Sequence, residues 1–226
     1  MLFGKKKFYS IKFMVNGEFV EQQCPLVNYD GFLEFSQKPF IGYEIKEDIL
    51  ILHLRECIFN AEYKETLQKA AEICAEKHIT ALELDLSENM GGNSQVIDEF
   101  IRFTHTDTYR RYEMTDVSSG NPVCAVSRKA VVTNQKKELL LPEKIVCRVS
   151  NTTFSSARTF AVTLKDNGIA AIIGEPTGGK PCSYGMPKRD VTPNFNIRFR
   201  VSRALFLRPD EGLEEEEALY PDKKEC

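Results

Sequence analysis

Ser155 and Lys180 are the two residues whose types and surroundings suit nucleophilic catalysis, and each lies in a short turn that follows a predicted strand. A third turn, Asp85-Leu86-Ser87-Glu88-Asn89-Met90-Gly91-Gly92, ends in two glycines. Loops that leave the C-terminal ends of parallel strands line a common crevice in an open α/β sheet. The three turns are therefore expected to share one rim. A serine at the start of a helix faces unpaired backbone N–H groups and the positive end of the helix dipole, which suits an oxyanion. On this reading Ser155 is the nucleophile and Lys180 the general base, its amine held neutral by desolvation. Backbone N–H groups of Ser156 and of Gly91 or Gly92 hold the tetrahedral oxyanion, each donor being worth roughly 3 kcal/mol of barrier. Ser156 is the rival nucleophile, because chemistry alone does not separate adjacent serines; its other reading is a helix-capping residue. Lys180 has an alternative role in structure or substrate binding.

Chain length supports the pairing of the second and third turns. A helix from Ser156 to about Asn167 descends roughly 18 Å. Gly168 then turns the chain, and a strand over Ile169 to Ile173 climbs back roughly 16 to 20 Å. Lys180 thus returns to the level of Ser155. Asp166 shares the helix face of Ser155 but lies about 16 Å along the axis, too far to orient Lys180, and reads as structural.

The elements behind these turns are legible from periodicity. Phe8 to Val15 and Glu18 to Gln23 flank Asn16-Gly17, a dipeptide suited to a tight hairpin turn. Phe40 to Lys46 and Ile49 to Leu54 suggest a second strand pair. In Glu62 to His78, Tyr63, Leu67, Ala70, Ala71 and Cys74 form one helical stripe. Thr80 to Leu86 and Lys144 to Ser150 read as strands, Val96 to Phe103 as a second amphipathic helix, and Val123 to Val132 as an inserted hairpin. Arg198, Arg200 and Arg203 alternate with Phe199 and Val201 as one polar strand face, which offers a role in binding a substrate carboxylate. The expected organisation is an N-terminal β-hairpin region over residues 1–39 and a catalytic domain over 40–226.

Composition removes several classes of function. The 30 basic and 33 acidic residues, net −3 among 226, are mixed along the chain, so nucleic acid is not an expected partner. No apolar run reaches the roughly 18 to 20 residues of a membrane span, and Met1 to Val15 lacks the apolar stretch of a secretory signal. The chain as given reads as cytoplasmic. Its seven cysteines, at positions 24, 57, 74, 124, 147, 182 and 226, lack CxxC spacing and read as reduced thiols. No metal signature is present, and no cofactor is expected. His53, His78 and His105 sit in or at the ends of elements without forming a Ser/His/Asp constellation.

Taken together, Asn151 to Lys180 resembles the nucleophile-to-lysine segment of the C-terminal processing, or tail-specific, serine peptidases. The separation of 25 residues between Ser155 and Lys180 matches that family's Ser/Lys dyad. Asp85 to Gly92 resembles its Asp-Leu-Arg-x-Asn-x-Gly-Gly element, and Ala218-Leu219-Tyr220-Pro221-Asp222 its terminal Pro-Asp element. The resemblance covers roughly residues 40 to 222. It implies a ClpP/crotonase-like α/β superhelix and endoproteolysis of a peptide or protein substrate through an acyl-enzyme. Two positions depart from the pattern. Ser87 stands where the family usually has Arg, and Pro181-Cys182-Ser183-Tyr184 follows Lys180 without the usual Gln. Relatives with a tricorn-like site use His and Glu instead of Lys, and Glu214 to Glu217 offers a carboxylate, although such a run is usually a solvated loop. Many members also carry a PDZ domain, for which the 1–39 region is too short. Two alternatives stay open: a peptide-binding relative without catalysis, and an acyl-CoA enzyme on the crotonase framework. Fluorophosphonate labelling of Ser155 separates the first from a peptidase; activity retained in Ser155→Ala favours the second.

Overall fold

The computed structural model describes residues 8–15, 18–25 and 38–222. Two compact units divide between Pro39 and Phe40. In the first, β1 (Phe8–Val15) pairs antiparallel with β2 (Glu18–Pro25), in register from Phe8 opposite Pro25 to Val15 opposite Glu18. The Asn16-Gly17 turn lies outside the described residues.

The second unit is mixed α/β, as the sequence predicts. Its main sheet begins with the antiparallel pair β3 (Ile41–Lys46) and β4 (Ile49–Leu54). Helix α1 (Ala61–Lys77) then returns the chain to β5 (Ala81–Asp85), parallel to β4. Asn60 starts α1 by accepting the Tyr63 N–H at 2.9 Å, and His78 ends it at φ 55°. The predicted stripe is the buried one: Tyr63, Leu67, Ala70, Ala71 and Cys74 face the core. After α2 (Gln95–Ile101) the chain runs through four short strands: β6 (Thr108–Arg110), β7 (Glu113–Asp116), β8 (Val123–Val126) and β9 (Val131–Thr133). It then re-enters the main sheet as β10 (Lys144–Val149), parallel to β5. Helix α3 (Ser156–Asp166) and β11 (Ala171–Gly174), parallel to β10, complete the order β11-β10-β5-β4-β3.

Leucines 50, 52, 82 and 84, Cys147 and Ile172 fill the sheet interior, and Phe100 of α2 meets Phe160 of α3 edge to face at 5.2 Å. Burial of each such side chain contributes about 1.5–3 kcal/mol.

Two local expectations change. Val123 to Val132 is not a hairpin, since β8 pairs with β7 and β9 pairs with β6. Both partners are strands that precede the segment, and each is only three or four residues long, so local alternation carries no pairing information. The last strands, β12 (Ser183–Val191) and β13 (Arg198–Leu207), form a second, antiparallel sheet in the order β12-β13-β7-β8. Phe199 and Val201 are exposed, as are Arg198 and Arg200, so this stretch of β13 has no buried face for its arginines to oppose. A short 3₁₀ turn, Glu211–Leu213, follows. Among the described residues no helix is long and apolar enough to cross a membrane.

Candidate active site

Adjacent parallel strands β5 and β10 deliver their turns side by side, and hydrogen bonds sew the two together. Ser150 Oγ and Thr152 Oγ1 donate to the Ser87 carbonyl at 2.5 and 2.6 Å, Thr153 Oγ1 donates to Leu86 O at 2.8 Å, and Phe154 N donates to Asn89 O at 3.0 Å. Ser87, the departure from the family pattern, also donates its N–H and hydroxyl to Asp85 Oδ1. Burial raises the Asp85 carboxyl pKa, but these bonds and one from His53 outweigh it and draw the group below its ordinary value.

Asn89 is fully buried and fixes the diglycine turn. Its Nδ2 donates to Leu54 O at 2.8 Å, and its Oδ1 accepts the Gly91 N–H at 2.8 Å. The Gly91 N–H is therefore already committed, which corrects its assignment as an oxyanion donor. The N–H groups of Gly92 and Ser156 find no acceptor among the described residues. Gly91 contributes through the side chain it lacks. At φ 107°, a Cβ there would fall 2.7 Å from Ser155 Cβ and 3.0 Å from Ser156 N. Gly91→Ala is expected to cost about 1–3 kcal/mol by overpacking. By crowding the Ser156 N–H it should also slow phosphonylation of Ser155 by about 10²- to 10³-fold, the loss typical of one oxyanion donor; chemical denaturation and mass-spectrometric labelling read the two effects.

The two serines separate by their bonding. Ser156 is buried, its Oγ donates to Gly92 O at 2.7 Å and lies 3.0 Å from Ser94 Oγ. Ser155 is exposed, caps α3 with φ 51° and ψ −126°, and its hydroxyl has no partner among the described residues. A non-glycine residue in such a conformation carries strain on the order of 1–3 kcal/mol, of the kind that collects at functional sites. The hydroxyl faces a cleft of about 700 Å³, lined also by Gly92, Ser156, Arg158, Tyr112 and Phe206.

The third turn arrives beside the second, as the length argument predicts. A Cβ on Gly178 would lie 2.3 Å from Asn151 O, and Glu175 N donates to Val149 O at 3.0 Å. Thr177 is held from the far side through Leu219, by N–H bonds of 3.2 and 3.1 Å. The Lys180 side chain departs from expectation. Its Nζ lies 2.6 Å from Glu217 Oε1, it is 51% exposed, and it does not line the cleft. The Glu217 carboxylate pushes its pKa up, so the desolvated, neutral amine expected from the sequence is not found in this conformation.

Glu214 to Glu217 is likewise more than a solvated loop. Glu214 pairs with Arg128 and Glu216 with Arg208, while Glu217 takes Lys180. Asp166 is structural, as expected from its distance along the helix. Its side chain is wholly buried against Arg208, Oδ1 to Nη2 at 2.6 Å and Oδ2 to Nε at 3.0 Å. Asp222 of the terminal Pro-Asp element accepts the Ile172 N–H at 2.7 Å and pairs with Lys165. Of the histidines, His53 sits 2.9 Å from Asp85, and His105 lies 3.1 Å from Leu141 O. Cys57, beside Asn89, has its thiol pKa pushed up to about 12 by burial and is no nucleophile. Among the described residues no cluster of metal ligands occurs.

Arg158 was missed by the sequence reading. It is 5% exposed in the wall of the cleft, one turn from Ser155, with its Nε unpartnered among the described residues. The signal available was position: i+3 on a helix shares the face of i.

A mixed α/β domain with neighbouring turns leaving parallel strands, and a strained, exposed serine at a helix tip, has the architecture of a serine hydrolase. The family model described as peptidase family S41 matches residues 48–224, and the chain belongs to that family of serine peptidases. No curated protein matches the chain. Among solved structures, the chain is similar to the photosystem II D1 C-terminal processing protease with a TM-score of 0.57 at 15% identity, over 92% of this chain and 51% of that one. Mature CPAF gives a TM-score of 0.55 at 13% identity, over 95% and 62%. A lipoprotein from Streptococcus agalactiae gives 0.55 at 18% identity, over 86% and 68%. At these identities the likeness is one of fold. The chain spans about half the length of the processing protease.

Proposed function

We propose that this chain hydrolyses peptide bonds by nucleophilic attack of Ser155, with Lys180 as general base, in the manner of C-terminal processing peptidases. The observation that carries the reading is a hydroxyl held at φ 51° on the tip of α3, beside two N–H groups, all three without a hydrogen-bond partner among the described residues. In the first half-reaction Ser155 Oγ bonds to the scissile carbonyl carbon and its proton passes to neutral Lys180 Nζ. The Gly92 and Ser156 N–H groups hold the oxyanion. Collapse breaks the C–N bond, and the leaving amine takes the proton from Lys180. Water then cleaves the acyl-enzyme by the same route.

This route requires Lys180 to leave Glu217. The pair is open to solvent on both sides, at 51% and 70% exposure, and such pairs hold their partners weakly. A substrate that covers the turn would desolvate the amine and favour its neutral form. Because Glu217 raises the Lys180 pKa, it moves the base-dependent rise in activity toward alkaline pH. Glu217→Gln is expected to shift the rising limb of kcat/KM to lower pH and to increase the rate at neutral pH. A profile unmoved by the substitution would exclude Lys180, paired in this way, as the base.

Incubation with a random peptide library, comparing the wild type with Lys180→Ala, tests the dyad through cleavage sites mapped by mass spectrometry. A second reading, a peptide-binding relative without turnover, is favoured by the charged state of Lys180. It predicts that a fluorophosphonate leaves Ser155 unmodified.

A further inference from the structure

Arg158 is the feature of the cleft that the peptidase reading leaves without a task. Burying a guanidinium is costly unless a carboxylate or several acceptors compensate it. The other large buried arginine, Arg208, has such compensation, from Asp166, Glu216 and the Leu213 carbonyl. Arg158 has no ion pair among the described residues, and its hydrogen bonding there is limited to Nη2 donating to Ser183 Oγ at 3.0 Å. Its Nε is buried without a partner among those residues. The guanidinium lies 5.3 Å from the Phe154 ring centroid, and Nη1 lies 2.8 Å from where a Gly179 Cβ would be, so the glycine leaves it room. Burial lowers its pKa, the direction expected of a cation lacking a counter-charge.

The two other charged residues of the cleft do not supply that counter-charge. Asp98 accepts from Tyr109 Oη at 2.6 Å and pairs with Arg111 at 2.9 Å. The arginines of β13 singled out by the sequence, Arg198, Arg200 and Arg203, do not line the cleft. An arginine fork with free donors matches a carboxylate in shape and charge. A long side chain on a helix points back over the preceding turn, which here carries Ser155.

We propose that Arg158 receives a substrate carboxylate within about one residue of the scissile bond, making the cleft selective for acidic peptide positions or for a peptide's free C-terminus. The proposal deepens the peptidase reading and rests on it for the word substrate. Binding to full-length Ser155→Ala, which cannot turn over, tests it separately. Three acetylated pentapeptides of alanine serve as probes: one amidated with a central glutamate, one amidated with a central glutamine, and one with a free terminal carboxylate and no acidic side chain. At least one carboxylate peptide is expected to bind about 10- to 100-fold tighter than the glutamine peptide, the range of a charge-assisted hydrogen bond. Which of the two does so identifies the source. Adding Arg158→Gln should erase the preference, Arg158→Lys should keep part of it, and Arg158→Glu should turn it toward a central lysine. Equal affinity for all three peptides in the protein retaining Arg158 overturns the proposal, and that comparison needs no folded Arg158 variant. A preference that survives in folded Arg158→Gln overturns it as well. Wild-type labelling by fluorophosphonate with no carboxylate preference removes Arg158 as receptor and leaves the peptidase standing; preference without labelling does the reverse.

Discussion

Ser155→Ala is expected to lower peptide hydrolysis by about 10⁴- to 10⁶-fold, the loss seen when a serine hydrolase is deprived of its nucleophile. The residue bears no structural bond through its side chain, since its hydroxyl has no partner among the described residues and is exposed. Alanine should therefore leave the melting temperature nearly unchanged while activity disappears. Ser156→Ala is the contrasting control. Its hydroxyl donates to Gly92 O in a buried position, so the substitution should cost about 1 kcal/mol of stability. Its backbone N–H is unaltered, so acylation should survive. Single-turnover hydrolysis and thermal melting of both variants distinguish them. Equal loss in the two would place the nucleophile in doubt, and full activity in Ser155→Ala would end the covalent mechanism.

The second large effect concerns stability. Arg208→Met leaves Asp166 as an uncompensated charge in a fully buried site, where its carboxylate also accepts the Asp210 N–H at 3.0 Å. Breaking such a pair typically costs about 3–5 kcal/mol, a large part of the 5–15 kcal/mol that usually separates a folded domain from its unfolded chain. The urea midpoint should fall accordingly. The double variant Arg208→Met with Asp166→Leu should recover most of the loss, because two apolar side chains replace a pair that had to be desolvated. If the double variant is as unstable as the single one, packing rather than charge controls the site. Arg208 also holds Glu216, next to the partner of Lys180.

Local repetition makes much of this fold readable in the sequence. The stripe from Tyr63 to Cys74, the alternation in Ile49 to Leu54 and the order strand, turn, helix, turn, strand from Lys144 to Gly174 each express one element's own periodicity. The backbone return of the lysine turn followed from element lengths alone. What could not be read depends on partners distant in the chain. Lys180 meets Glu217 across 37 residues, and no local pattern ties an acidic run to a particular lysine. Asn89 looked like one letter of a motif, whereas its task is to consume the Gly91 N–H and anchor the turn to Leu54. The lone pairing state of Arg158 is a property of its neighbours, invisible in its own position. In β13 the residue types do alternate, but Phe199 and Val201 are exposed, as are Arg198 and Arg200 on the opposite face.

Helix α3 spans 11 residues, about 16 Å, with the Ser155 hydroxyl at its head and the Asp166 anchor at its tail. The proposed nucleophile and a buried anchor of the fold thus hang on a single rod. Selection for quicker turnover that worked by slackening this rod would register first as lost heat tolerance. Conversely, tightening the tail would stiffen the head, so thermally hardened descendants of this chain should exchange the amide hydrogens at the start of α3 more slowly than the parent.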